Sequence, residues 1–162
     1  MAYQKLQVGL GVNVIPSDTI NIPNVSGPTQ SGTVTSVVAN QLKDTAGVFT
    51  NALVGYIVYN NVTNAIATVT SVTDVSTLVL SADIMLVNSQ SYTLYADENL
   101  GCVLYVGGGA VGTPTVAADI AIVTSSGSEV ILKRVLPGSF IPVQVKRVKS
   151  TGTTATDILA FW

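Results

Sequence analysis

The chain has 162 residues, no histidine, one cysteine, 10% charged and 48% hydrophobic residues, and a net charge of −2. Without imidazole it lacks the usual proton shuttle near neutral pH and any Ser-His-Asp or Cys-His nucleophile, and a lone thiol cannot build a zinc site of the usual kind. The acidic balance argues against binding nucleic acid, so composition points to a structural or binding protein that is not an enzyme and uses no cofactor.

The length suits one domain or two small ones. Valine occurs 26 times and threonine 19 times; both branch at Cβ and suit a pleated sheet. No apolar run approaches 18 residues, so no membrane partner is expected, and the opening Met1–Gln7 lacks the pattern of a secretory leader. Charge is uneven: residues 31–98 sum to −4 and residues 99–162 to +2.

In chain order, Gln4–Ile15 alternates, with Leu6, Val8, Leu10, Val12 and Val14 on one face and the small Gly9, Gly11 and Asn13 on the other. Close strand packing or a bulge is the expected use of those glycines. Pro16-Ser17-Asp18 turns the chain into a short strand at Ile20 and Ile22. Gly27–Gly32 reads as a linker. Strands are then expected at Thr33–Ala39, Gly55–Asn60, Ala65–Thr73, Thr77–Leu80 and Ser91–Tyr95, with a polar loop or helical turn around Phe49 and turns at Asn60–Asn64 and Asp74–Ser76. Five short strands in so few residues suggest a small SH3-like barrel, with Tyr56 and Tyr59 as core and rim.

Beyond Asn99, Gly101–Val106 reads as a strand broken by Gly107-Gly108-Gly109. Further strands follow at Ala117–Thr124, Glu129–Arg134, around Ile141–Val148 and at Thr154–Trp162. Ile141, Val143 and Val145 alternate, but the next apolar residue is Val148, which predicts a β-bulge at Lys146-Arg147. Two N-terminal strands are too few to stand alone, and the apolar stretch Ile158–Trp162 demands burial. The expected fold is therefore all-β: a discontinuous β-sandwich of residues 1–30 plus 99–162, with residues 31–98 inserted as the small β-barrel.

Few residues invite chemistry. Gly107–Gly112 lacks the Lys-Ser or Lys-Thr and the helix of a phosphate loop and reads as a flexible hairpin. Asp97-Glu98 and the scattered aspartates sit at turn signals, with no rule pairing them for glycoside hydrolysis and no calcium loop. Cys102, beside Val103 and Leu104, reads as a small buried hydrophobe. The sharpest charge feature is Lys133, Arg134, Lys146, Arg147 and Lys149, which reads either as a solvated strand face or as a patch that docks on an acidic protein surface.

Residues 138–162, GSFIPVQVKRVKSTGTTATDILAFW, are similar to the C-terminal end of small virion proteins of tailed bacteriophages. IPSDTINIPN at 15–24 resembles the start of the same proteins, especially those of cyanophages, and VGYIVYN, ATVTSV and LVLSADI resemble a module that recurs in them. The resemblance implies a capsid decoration (cement) protein: a homotrimer on the virion capsid surface that clamps subunits of the major capsid protein. The alternative is a receptor- or carbohydrate-binding module of a fibre or neck, which calls for an exposed aromatic platform. Only 6% of residues are aromatic.

Overall fold

In a computed structural model, which describes residues 9–27, 29–96, 98–113 and 115–162, the strands in chain order are β1 (Gly11–Asn13), β2 (Thr29–Thr33), β3 (Ser36–Val38), β4 (Gln41–Lys43), β5 (Ile57–Asn60), β6 (Ala65–Asp74), β7 (Thr77–Leu80), β8 (Ser91–Tyr95), β9 (Cys102–Ala110), β10 (Ala118–Thr124), β11 (Glu129–Val135), β12 (Ser139–Val148) and β13 (Ala155–Phe161). One short 3-10 turn, Asn51–Leu53, interrupts them. The protein is all-β, with two antiparallel sheets. Among the described residues no helix is long and apolar enough to cross a membrane.

Contact density divides the chain into two units, one running up to Val25 and resuming at Asn99–Trp162, the other Ser26–Glu98. The discontinuous unit holds the six-stranded sheet β1-β13-β9-β12-β10-β11. β9, β10, β12 and β13 supply most of one buried cluster, including Cys102, Leu104, Val106, Ile120, Ile122, Val145, Val148, Ile158 and Ala160, joined by Val14 just past β1; Val12 of β1 and Leu132 and Val135 of the edge strand β11 pack partly buried against it. The sheet bends over that cluster. Thr154 at the start of β13 donates its N–H to the Asp119 carbonyl of β10 at 2.8 Å, although β9 and β12 lie between those strands in the ladder. Ile158 and Ala160 are buried and Trp162 packs against the same cluster, so the apolar C-terminal strand is paired on both sides, by β1 and β9.

Several local expectations are corrected. The triple glycine does not break a strand: β9 runs through it to Ala110. A Cβ on Gly107 would come within 2.9 Å of the Asp157 carbonyl, and one on Gly108 would strike the Thr156 and Asp157 side chains. These glycines let β9 and β13 pair closely. Gly11 admits the Phe161 ring, which would lie 2.8 Å from a Cβ there, whereas Gly9 has open space. Of the strand expected at Gln4–Ile15, residues 4–8 lie outside the described residues and Gly11–Asn13 is strand. Ile20 and Ile22 form no strand; instead Ile22 N–H and Ser17 N–H bond the Lys146 and Val148 carbonyls. The bulge is present: Val123 opposes Arg147 while Thr124 opposes Val145, leaving Lys146 extra.

The continuous unit holds the seven-stranded sheet β2-β8-β5-β6-β7-β4-β3. Thr29 and Gln30, assigned from sequence to the linker and outer domain, pair with Tyr95 and Leu94. Entry and exit of this unit are thus neighbouring strands. Its core gathers Val34, Leu42, Phe49, Val58, Leu78, Met85, Tyr92 and Leu94. Tyr59 is buried edge-on to Tyr95, ring centroids 5.4 Å apart; Tyr56 packs partly buried against the core. The closed barrel expected here is not formed by ladder pairing. The sheet stays open between β2 and β3, which only Val34 and Thr35 separate in sequence.

Candidate functional site

The five basic residues fall into two groups. Lys133 and Arg134 lie on edge strand β11 beside Asp119 of β10; Lys146 and Arg147 sit at the bulge of β12, and Lys149 just beyond it. Along β10, Asp119 and Val123 are four residues apart, roughly 13 Å at strand rise. Register therefore keeps the groups from forming one compact cluster.

Pairing further reduces their free charge. Lys133 Nζ lies 2.7 Å from Asp119 Oδ2, and Lys149 Nζ lies 2.7 Å from Glu129 Oε2. Arg134 takes a left-handed backbone (φ 56°) and donates its N–H to Asp119 Oδ1 at 3.0 Å. The Lys133 ammonium and then this N–H hold the Asp119 carboxyl below its ordinary value. Arg147 donates from Nη1 to the Thr19 carbonyl at 3.1 Å, and its buried Nε has no acceptor among the described residues. Lys146 is half-buried at the bulge. Arg147 thus helps fasten residues 17–22 to β12, besides carrying charge.

A second surface escaped sequence reasoning. The residues of β9, β12 and β13 that point away from the core put three rings together. Tyr105 and Phe140 are paired across the ladder with centroids 5.0 Å apart, and Phe140 and Phe161 are 6.5 Å apart. Val103 and Leu159 share this face, because Phe161 opposes Val103 and Leu159 opposes Tyr105. Phe140 is 57% exposed. Alternation in each strand implied outward aromatics, but their convergence depends on an order in which β9 sits between β13 and β12.

A half-open cavity of about 340 Å3 lies beside β11, lined by Ala121, Ile122, Val130, Ile131 and Gly152, with the Glu129–Lys149 pair and Thr151 at its polar side. No group of three His, Cys, Asp or Glu side chains is placed to hold a metal among the described residues. Cys102 is buried, its Sγ 3.1 Å from the Val145 carbonyl, and burial pushes the thiol up to about 12; a thiol so placed is no nucleophile at neutral pH. Of the acidic pair considered from sequence, Asp97 lies outside the described residues and Glu98 is exposed.

Comparison with known proteins gives no match to any family, curated protein or solved structure.

Proposed function

We propose that this chain is a non-enzymatic structural protein of a tailed-phage virion, a decoration (cement) protein that binds and stabilises the major capsid protein lattice on the capsid surface. The observation that carries the reading is the Tyr105–Phe140–Phe161 strip, with Val103 and Leu159, on the outer face of the discontinuous unit, where Phe140 is exposed and its four neighbours are half-buried. An exposed ring such as Phe140, held on a rigid sheet by other rings, is the usual kind of anchor of a protein interface. Lys146 and Arg147 sit on the adjoining part of β12 and would steer the approach to an acidic shell. In this reading the protein works as a homotrimer, where rotational symmetry multiplies weak contacts, and neither nucleic acid nor membrane is a partner.

The finer architecture belongs to the same proposal: the discontinuous unit as a β-sandwich, the insertion as an SH3-like barrel. The bend at Val34-Thr35 supports the barrel. Val34 N–H bonds the Gln90 carbonyl next to β8, and Thr35 N–H bonds the Lys43 carbonyl of β4. One bent segment thus reaches the strands at both ends of the open ladder.

The test is re-decoration of stripped capsids, with electron microscopy of the particles locating the protein. Phe140→Ser should weaken decoration at least tenfold, and Lys146→Glu/Arg147→Glu should weaken it further as a salt-sensitive effect. Full decoration by Phe140→Ser would remove the strip from the docking surface, and absence of the protein from the shell would sink the capsid reading. The strip also favours a second reading, a receptor- or carbohydrate-binding module, since ring faces stack on sugars and Asp157 is exposed on the same strand. That reading predicts glycan or host-surface binding that Phe140→Ser abolishes.

A further inference from the structure

Among the described residues β11 is the edge of its sheet, with β10 as its one ladder partner. Thr124 N–H bonds the Ser128 carbonyl at the hairpin end. Ala121 directs its N–H to Thr153 Oγ1 and its carbonyl to Lys149 N–H, both away from β11. By the alternation of an antiparallel ladder, Ala121–Ile131 and Val123–Glu129 are then the pairs not hydrogen-bonded to each other. Glu129 and Ile131 therefore turn their backbone N–H and C=O groups outward; the register shifts beyond Leu132, but Asp119 beside Lys133 turns both its N–H and its C=O to Thr154, so Lys133 also has its backbone groups free of Asp119. The side chains along this edge are open to water: Ile131 is 52% exposed, and the Glu129 and Lys133 side chains are 59% and 66% exposed.

We propose that β11 is a self-pairing edge, through which two copies of this chain join as antiparallel strands about a two-fold axis passing through Ile131. In that register Ile131 meets its own counterpart, Val130 meets Leu132, and Glu129 of each copy meets Lys133 of the other. The outward backbone groups of 129, 131 and 133 face one another, as a ladder requires. Opposite charges directly across a strand pair stabilise it and like charges destabilise it. The existing ion pairs extend rather than compete: Asp119, Lys133, then Glu129 and Lys149 of the other copy form one row of alternating sign. An axis through Leu132 would instead set Lys133 against Ile131 and leave Glu129 opposite Val135. An axis between Ile131 and Leu132 would set outward backbone against inward. Charge and backbone direction thus select one register. The contact stands independently of the virion reading; on a shell it would join neighbouring oligomers across two-fold axes.

Sedimentation equilibrium over roughly 10 µM to 1 mM covers the affinity range of a single strand pair. The wild-type chain should double the mass of its dilute species within that range, and amide exchange at Ile131 should slow as it does. Lys133→Glu puts Glu against Glu at both ends of the pair, and Glu129→Lys puts Lys against Lys, so each variant should need at least tenfold higher concentration to associate. Mixed one to one, the two variants should pair with each other at wild-type strength, because both ends are again opposite in sign. Circular dichroism confirms that each variant is folded. A wild-type mass that never doubles, a Lys133→Glu chain that associates like wild type, or a mixture that fails to recover would each overturn the proposal.

Discussion

Asn99 is the residue at which the chain re-enters the discontinuous unit. It is 2% exposed. Its Nδ2 donates to the Val145 carbonyl at 2.8 Å, while its Oδ1 accepts the Gly101 N–H at 2.6 Å and the Trp162 indole N–H at 3.2 Å. One side chain therefore ties the start of β9 to β12 and to the end of β13. Asn99→Ala takes from the Val145 carbonyl its amide donor, leaving the weak Cys102 thiol 3.1 Å away as its side-chain partner, and removes the acceptor of the Gly101 N–H. A buried polar group stripped of its partner costs about 1–3 kcal/mol. The indole N–H, the longest of these bonds and only part-buried, adds little. The loss should be about 2–4 kcal/mol, a large part of the roughly 5–15 kcal/mol that holds a domain together. Trp162 is the single tryptophan and lies in the same unit, so its fluorescence reports that unit's unfolding in urea. The variant's midpoint should fall accordingly, and its melting temperature by roughly 5–15 °C. A loss under about 0.5 kcal/mol would refute the reasoning, because it would mean that water or a neighbour satisfies these groups at no cost.

Removing Ile158–Trp162 takes away buried Ile158 and Ala160 and unpairs both β1 and β9. With about 1.5–3 kcal/mol for each large apolar side chain fully buried, the discontinuous unit should not fold, and a truncated chain with a native circular dichroism melt would contradict its burial. Gly32→Ala drives a Cβ into the Asp44 carboxylate and the Tyr92 hydroxyl, which are themselves hydrogen-bonded at 2.7 Å; it should cost about 1–3 kcal/mol by overpacking, read as a lower urea midpoint, and an unchanged midpoint would show that the pair moves aside freely. Asp18 is held at about 2 by the Thr151 N–H, then by the Ser150 and Thr151 hydroxyls, below the ordinary 3.8. A carboxyl depressed in the folded state contributes stability above its unfolded value that is lost as pH falls toward the folded one. Stability should thus drop between about pH 4 and pH 2, with Asp119 and Asp74 acting in the same direction, and Asp18→Asn should flatten the drop. A urea midpoint that held constant or rose on acidification to pH 2 would contradict this.

Sequence alone determined the all-β class and the positions of most strands, because alternation and turn chemistry act between neighbours. Thr77–Leu80 and Ser91–Tyr95 needed nothing but their own pattern and flanking turns. The Lys146 bulge was equally local, since a slip in phase between Val145 and Val148 can be counted along one strand. Other features depended on partners far along the chain. β2 hides in a stretch that reads as linker because its partner, Ser91–Tyr95, lies some sixty residues later. The glycines of β9 read as a loop until Thr156 and Asp157 are seen pressed against them. Lys133 and Lys149 read as open charge until the fold sets Asp119 and Glu129 beside them. The aromatic strip needed three strands in one order. Each of these is a contact between residues whose separation in sequence carries no periodic signal, so only the assembled sheet could decide them.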